Sequence, residues 1–272
     1  MQNDIEQARN IIAEADALLI TAGAGMGVDS GLPDFRGNEG FWEAYPPIAK
    51  LGLSFAQMAN PKWFESDPRL AWAFYGHRLN LYRQTIPHDG FKMLLELAQQ
   101  KNNNYFVYTS NVDGQFQKAG FDSNKIVEVH GSIHHFQCVE GCSGDIWDAK
   151  DEIVEVDMDS FTAINTPRCI HCNALARPNI LMFGDWAWSS YRTSAQEDRF
   201  GTWLAQNSRA KIAIIEIGAG TAVPTIRMEG EYLSQKHSNI TLIRINPRDY
   251  HLGKGEGVSI PLGGLAGIEA IS

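Results

Sequence analysis

A short apolar run, Ala17 to Thr21, leads straight into Ala22-Gly23-Ala24-Gly25-Met26-Gly27, and this junction constrains the fold more than any other feature of the chain. The run has the length and composition of a buried strand. Ahead of it, Ile5, Ala8, Ile12 and Ala15 recur at helical spacing over residues 4–15. Further buried-strand candidates are Tyr105–Thr109, Ile126–Val129, Lys211–Ile217 and Ile240–Ile245, with helical stretches such as Gly90–Lys101 between them. Strands alternating with helices build a parallel sheet covered on both faces. In such a sheet, a strand that runs into small residues is where phosphates bind. The backbone N–H groups can approach a pyrophosphate, and the helix that follows favours its charge. A dinucleotide is therefore the leading ligand. The dehydrogenase form of the glycine fingerprint is not met: Gly23 and Gly25 supply its first two glycines, but Val28 stands where the third belongs.

Composition supports one large domain. With 272 residues and 44% hydrophobic content, the chain fills a core without disulfides or a partner. A formal net charge of −9 does not favour nucleic-acid binding, which needs Lys and Arg against phosphates. The first 25 residues lack a basic flank followed by a long apolar run, and the apolar stretch Ala17–Ile20 is too short for a bilayer. The expectation is a cytoplasmic protein with reduced cysteines and no membrane or nucleic-acid partner; its oligomeric state is open. Two stretches break the strand–helix rhythm. Residues 42–84 are aromatic and helical in pattern, and residues 132–176 hold all four cysteines.

The segment Gly23-Ala24-Gly25-Met26-Gly27-Val28-Asp29-Ser30-Gly31-Leu32-Pro33-Asp34-Phe35-Arg36-Gly37 resembles the cofactor-binding signature of sirtuins, the NAD-dependent protein deacylases. Other segments agree in the family's order: Thr109-Ser110-Asn111-Val112-Asp113-Gly114, Glu128-Val129-His130-Gly131, Arg177-Pro178-Asn179-Ile180-Leu181-Met182-Phe183-Gly184-Asp185, Gly218-Ala219-Gly220-Thr221 with Pro224, and Ile245-Asn246. The resemblance runs from about residue 5 to the C-terminus. It implies an α/β fold: a Rossmann-like parallel-sheet part over 1–41, 85–131 and 177–272, and a smaller lobe made of a helical insertion (42–84) and a zinc-binding insertion (132–176).

In the family reaction NAD is a co-substrate. The acyl oxygen of a modified lysine attacks the nicotinamide ribose, nicotinamide leaves, and a histidine acts as general base on a ribose hydroxyl. By resemblance His130 takes that role, which suits an imidazole whose ordinary pKa lies near working pH. Asn111 and Asp113 match the positions that hold the nicotinamide end of NAD, and an amide with a carboxylate supplies the donors and acceptors needed there. The remaining cofactor-binding positions are Gly23, Ala24, Gly25, Asp34, Phe35, Arg36, Ser110, Gly218, Ala219 and Asn246. Phe35 would shield the reacting ribose face and Arg36 would sit near the phosphates. The doublet His134-His135 has no comparable frame and reads as surface or packing.

The chain departs from the family at Gly27, where a serine is usual, and at Ser110, where a glutamine is usual; both are expected beside the cofactor. Asp185 replaces a glutamate, and the late glycine loop is one residue shorter, with Ala219 and Gly220 in place of Thr and Ser. Two alternatives therefore stay open beside deacylation. One is an NAD glycohydrolase or ADP-ribosyltransferase. The other is a non-catalytic module that binds NAD or ADP-ribose.

Cys138-x3-Cys142 and Cys169-x2-Cys172 are two close pairs separated by 26 residues. Paired thiolates on tight knuckles suit tetrahedral Zn²⁺, and four of them leave no open coordination position, so the site is expected to be structural. On the substrate side, Tyr75 and Arg78 resemble the Tyr-x-x-Arg of sirtuins that remove acidic acyl groups. A phenol and a guanidinium one helical turn apart can clamp a carboxylate; the alternative is Tyr75 in the core with Arg78 snorkelling to solvent. Ile180 and Phe183 would border the acyl-lysine of a protein substrate, on a strand that pairs with the substrate backbone. Residues 145–159 hold seven acids and one lysine, most of the net charge, and read as a solvated face.

Overall fold

The computed structural model describes residues 1–34, 37–253 and 257–272, and of residues 37–39 only the backbone. Eleven strands lie among the described residues: β1 (Ala17–Ala22), β2 (Tyr105–Thr109), β3 (Ile126–Glu128), β4 (Gly131–Cys138), β5 (Ile146–Asp148), β6 (Val156–Asp157), β7 (Thr162–Ala163), β8 (Ala176–Ile180), β9 (Ile212–Ile217), β10 (Ile240–Ile245) and β11 (Gly257–Ile260). Six of them form one parallel sheet in the order β3-β2-β1-β9-β10-β11. The expected strands fall within a residue of those observed. Lys211 lies just outside β9, where its amide donates to Asp16 Oδ2 at 2.8 Å.

The sheet is apolar on both faces because both are covered. β1 and β9 are buried along their whole length. Side chains alternate between faces along a strand. Leu18 and Ile20 meet Phe91 and Leu94 of α7 (Asp89–Gln100), together with Ile12 of α1 (Gln2–Glu14). Ala17 and Leu19 share the opposite core with Phe200 and Trp203 of a helix over Tyr191–Gln206 and with Ile226 and Leu233 of a helix over Thr225–Lys236. Charged pairs interrupt this apolar plan, Glu128 of β3 with Arg192 among them. Glu216 of β9 and Arg244 of β10 are in register and form a buried ion pair, and Arg244 also donates to the His251 carbonyl at 2.7 Å. That bond ties the loop after β10 to the sheet.

A second core lies beside the sheet. The aromatic stretch forms α2 (Gly37–Ala44), α3 (Pro46–Lys50), α4 (Phe55–Met58), α5 (Trp63–Ser66) and α6 (Pro68–Gln84). Prolines stand at or near the starts of α3, α5 and α6, where a missing N–H costs little. Their aromatic rings pack on Ile133 and Phe136 of β4 and on Ala176 of β8, and Trp72 Nε1 donates to the Ala176 carbonyl at 2.9 Å. The two irregular stretches of sequence thus share one core. The acids of residues 145–159 are mostly exposed around it. No helix among the described residues is long and apolar enough to cross a membrane.

Candidate functional site

The strand order reverses between β1 and β9, and the crevice beyond the carboxyl ends at such a point is the binding position of an open α/β sheet. Here the two following loops touch backbone to backbone. Gly23 N donates to the Ile217 carbonyl at 3.0 Å, and Gly25 N to the Gly218 carbonyl at 3.1 Å. Gly218 has φ +63°, and a Cβ on it would lie 2.4 Å from the Gly25 carbonyl carbon. A Cβ on Gly23 would lie 2.8 Å from Ala219 Cα. Side chains at either place would force the loops apart.

A cleft of about 940 Å³ opens above these loops. Of the residues expected at a cofactor, Gly23, Ala24, Asp34, Ser110, Asn111, Asp113, Gly218 and Ala219 line it. Gly25 and Asn246 do not line it and act from below. Gly25 is used in the loop contact, and buried Asn246 donates to the Ala219 carbonyl at 2.8 Å while its Oδ1 accepts from the Arg248 and Asp249 amides. Gly27, expected beside the cofactor, has other neighbours. It lies off the cleft, with Leu32 Cδ1 only 3.2 Å from where its Cβ would be. Leu32 thus packs against Gly27, and of the two departures it is Ser110 that lines the cleft. Phe35 and Arg36 lie outside the described residues.

The chemistry-bearing residues follow β2 and β3. Thr109 Oγ1 donates to the Ala22 carbonyl at 2.9 Å, and Asn111 Nδ2 to the Gly23 carbonyl at 3.0 Å, so the turn after β2 is fastened to the first glycine loop. Burial pushes the Asp113 carboxyl up to about 6, against the hydrogen bond from the Gln115 amide, which favours the charged form. His130 ends the β3 segment just before Gly131, whose φ is +76°. Burial lowers the pKa of His130, and a hydrogen bond to the Ser110 backbone opposes that shift. Its Nε2 lies 3.4 Å from Thr225 Oγ1. Burial thus favours the neutral ring, and with the proton on the nitrogen bonded to the Ser110 backbone the other nitrogen is an acceptor facing Thr225 Oγ1.

Tyr75, Arg78, Ile180 and Phe183 all line the same cleft. Arg78 is buried and does not snorkel. Its Nε and Nη2 donate to Tyr82 Oη at 3.0 and 2.8 Å, and its guanidinium lies over the Phe74 and Tyr82 rings. Burial pushes the Tyr75 phenol above its ordinary pKa, and its hydroxyl has no hydrogen-bond partner among the described residues. Tyr82, Arg248 and Asp249 also line the cleft and were not expected there. Tyr82 was findable, since it stands four residues after Arg78 on one helical face. The segment after β8 is firmly seated: Phe183 N donates to the Ala59 carbonyl at 2.9 Å, and Arg177 and Asp185 form a buried ion pair beneath it.

The four cysteine sulfurs lie within 4.8 Å of one another. The contacts Cys138–Cys172 and Cys142–Cys169, both 3.6 Å, join one knuckle to the other. Zn–S bonds of about 2.3 Å in a tetrahedron place sulfurs about 3.8 Å apart, so the donor set and its spacing fit zinc. His171 turns away from the cluster to Asp145, at 2.7 Å.

The Sir2 family model matches residues 23–202. An NAD-dependent protein deacylase of Aeropyrum pernix is 30% identical over 242 residues, covering 89% of this chain and 85% of the relative. One of Aquifex aeolicus is 27% identical over 237 residues, covering 87% and 86%. Among solved structures, a Sir2 homologue–NAD complex superposes with a TM-score of 0.70 at 23% identity, covering 98% of this chain and 92% of that one. A mutant Sir2 homologue bound to ADP-ribose gives a TM-score of 0.74 at 23% identity, covering 98% and 94%. At these identities the solved structures speak for the fold.

The cysteine geometry gives a direct test. Freshly purified protein should carry about one zinc per chain by metal analysis, and Cys169→Ser should lose the metal and lower the melting temperature, because metal binding is folding energy for such a lobe. Folded protein with a metal content near zero would contradict the site.

Proposed function

The chain belongs to the Sir2 family, and on that premise we propose that it is an NAD-dependent protein-lysine deacylase releasing nicotinamide and O-acyl-ADP-ribose. The observation that carries the reading is the convergence of His130, Ser110, Asn111 and Asp113 on one cleft with both glycine loops. NAD, when bound, supplies an electrophilic ribose carbon and a leaving group. The rest falls to this chain's residues. Gly23, Ala24, Gly218 and Ala219 offer close-approaching backbone for the pyrophosphate, and Asp34 lies at the same rim. Asn111 and Asp113 bind the nicotinamide end, Asp113 as a carboxylate above about pH 6. His130 takes a proton from the ribose hydroxyl on the ring nitrogen not engaged with Ser110, and its lowered pKa keeps it neutral for that task.

The acyl-lysine of a protein substrate would enter along Ile180 and Phe183, with the acyl end towards Tyr75 and Arg78. We assign NAD to the parallel-sheet part (1–41, 85–131, 177–272) and the acyl end of the substrate to the helical insertion 42–84, which lines the cleft with Tyr75, Arg78 and Tyr82, while the insertion 132–176 carries the cysteine cluster. Four free cysteines suited to zinc, together with the need for NAD, support a cytoplasmic location. A second reading, removal of acyl groups that end in a carboxylate, is supported by the buried Arg78 guanidinium on the cleft wall and by the Tyr75 hydroxyl, which has no hydrogen-bond partner among the described residues.

Incubation with NAD and an acetyl- or succinyl-lysine peptide should yield O-acyl-ADP-ribose by mass spectrometry, dependent on peptide. ADP-ribose formed without peptide would instead support NAD hydrolysis, the outcome that Ser110 keeps open. His130→Ala should lose acyl transfer by 10²-fold or more, the usual scale of a general base. Wild-type turnover should fall as the pH drops below about 6, because Asp113 gains a proton there. For the second reading, Arg78→Met should reduce kcat/KM for a succinyl peptide at least tenfold more than for an acetyl peptide; equal losses on both would refute it.

A further inference from the structure

β4 leaves His130 and pairs antiparallel with β8, but the ladder does not hold its register. Ser132 faces Asn179, and the next pair is Phe136 with Pro178, so Ile133, His134 and His135 bulge out of the pairing. Bulges re-aim side chains, and this one turns two groups towards the turn that follows β2. Ile133 N donates to the Val112 carbonyl at 3.0 Å. His134 Nε2 lies 2.9 Å from the Asp113 carbonyl oxygen. A carbonyl only accepts, so this nitrogen carries the proton. The ring also packs on Gly114, whose φ is +69°; a Cβ there would sit 2.7 Å from His134 Cδ2. Burial lowers the pKa of His134, which keeps the ring neutral among Glu128, Asp148, Arg83 and Asp113. Its own carbonyl accepts from Ala149 N at 2.9 Å, which anchors the bulge on the far side.

Asp113 is thus held at both ends. Its carboxylate accepts from Gln115 N at 2.9 Å, and its carbonyl accepts from His134. Asn111, two residues earlier, is fastened to Gly23. We propose that His134 is a positioning residue for NAD binding: by donating to the Asp113 carbonyl and bracing Gly114, it fixes the turn that presents Asn111 and Asp113 to the nucleotide. His135 has no such part. Its Nδ1 is buried without a partner among the described residues, and burial drives its pKa down to about 4. The inference rests on the reading of this cleft as an NAD site, but its test reads binding rather than deacylation.

Two variants separate positioning from packing. His134→Leu keeps the volume and removes the donor; His134→Gln keeps an N–H at similar reach. NAD and ADP-ribose affinities are measured by titration calorimetry, with KM for NAD and for peptide alongside. Loss of one buried hydrogen bond with its brace should raise the Kd and the KM for NAD about tenfold in the Leu variant. The KM for peptide should stay within about twofold, and the Gln variant should return the NAD values to near wild type. A Leu variant that binds NAD like wild type, or a Gln variant as impaired as Leu, overturns the proposal. Should the Leu variant fail to fold, imidazole nitrogen NMR on wild type decides. An Nε2–H tautomer whose signal shifts on adding ADP-ribose supports the proposal, and an Nδ1–H tautomer or an unmoved signal overturns it. Wild-type protein that binds NAD but does not deacylate contradicts the proposed function and leaves this test standing. Wild type that binds neither nucleotide overturns both.

Discussion

The contact on which the site depends is between two backbones. Gly23 and Gly25 meet Gly218 and Ala219 where the strand order reverses, and no side chain separates them. Gly218 is there because its φ of +63° and the 2.4 Å approach to Gly25 exclude a Cβ. Once the loops touch, the cleft above them is walled by peptide groups on one side and open to β2 and β3 on the other. Asn246 fixes the second loop from below, and the Glu216–Arg244 pair with its bond to His251 fixes the chain beyond it. Buried charges are costly unless paired. This pair is placed where a loop needs holding rather than where a core needs filling.

The reacting side of the cleft is arranged by desolvation. Burial moves His130 down and Asp113 up, so each approaches the neutral form while its hydrogen bonds oppose the shift. Both side chains line the same cleft, one as a ring that burial keeps towards its neutral form and the other as a carboxyl that titrates at about 6. The second core supplies the opposite wall. Tyr75, Arg78 and Tyr82 come from one helix, and the 181–183 segment is carried past them by β8.

Much of this was legible in the sequence, for physical reasons. Parallel strands buried on both faces read as unbroken apolar runs, so β1, β2, β9 and β10 stood out. Paired cysteines announce a shared ion by their spacing alone. What the sequence did not reveal depends on contacts between distant segments. Gly27 looked like a cofactor residue because of its place in the glycine loop, yet Leu32 covers it. Asn246 and Gly25 read from the sequence as cofactor-binding positions, and their bonds to the Ala219 and Gly218 carbonyls, which hold the second loop, are not visible there. His134 looked like packing, because the bulge that turns it towards Asp113 is a register shift between β4 and β8 that neither strand signals by itself. Arg78 matched a short motif correctly in place, but its tie to Tyr82 needed the helix to be built.

The central claim is that one crevice holds the nucleotide and presents its ribose to His130. A crystal structure with ADP-ribose tests it most directly. The pyrophosphate should lie against the backbone of Gly23–Ala24 and Gly218–Ala219, with the terminal ribose within hydrogen-bond distance of His130 and Asn111. A nucleotide seated elsewhere, or one whose ribose points away from His130, would contradict it.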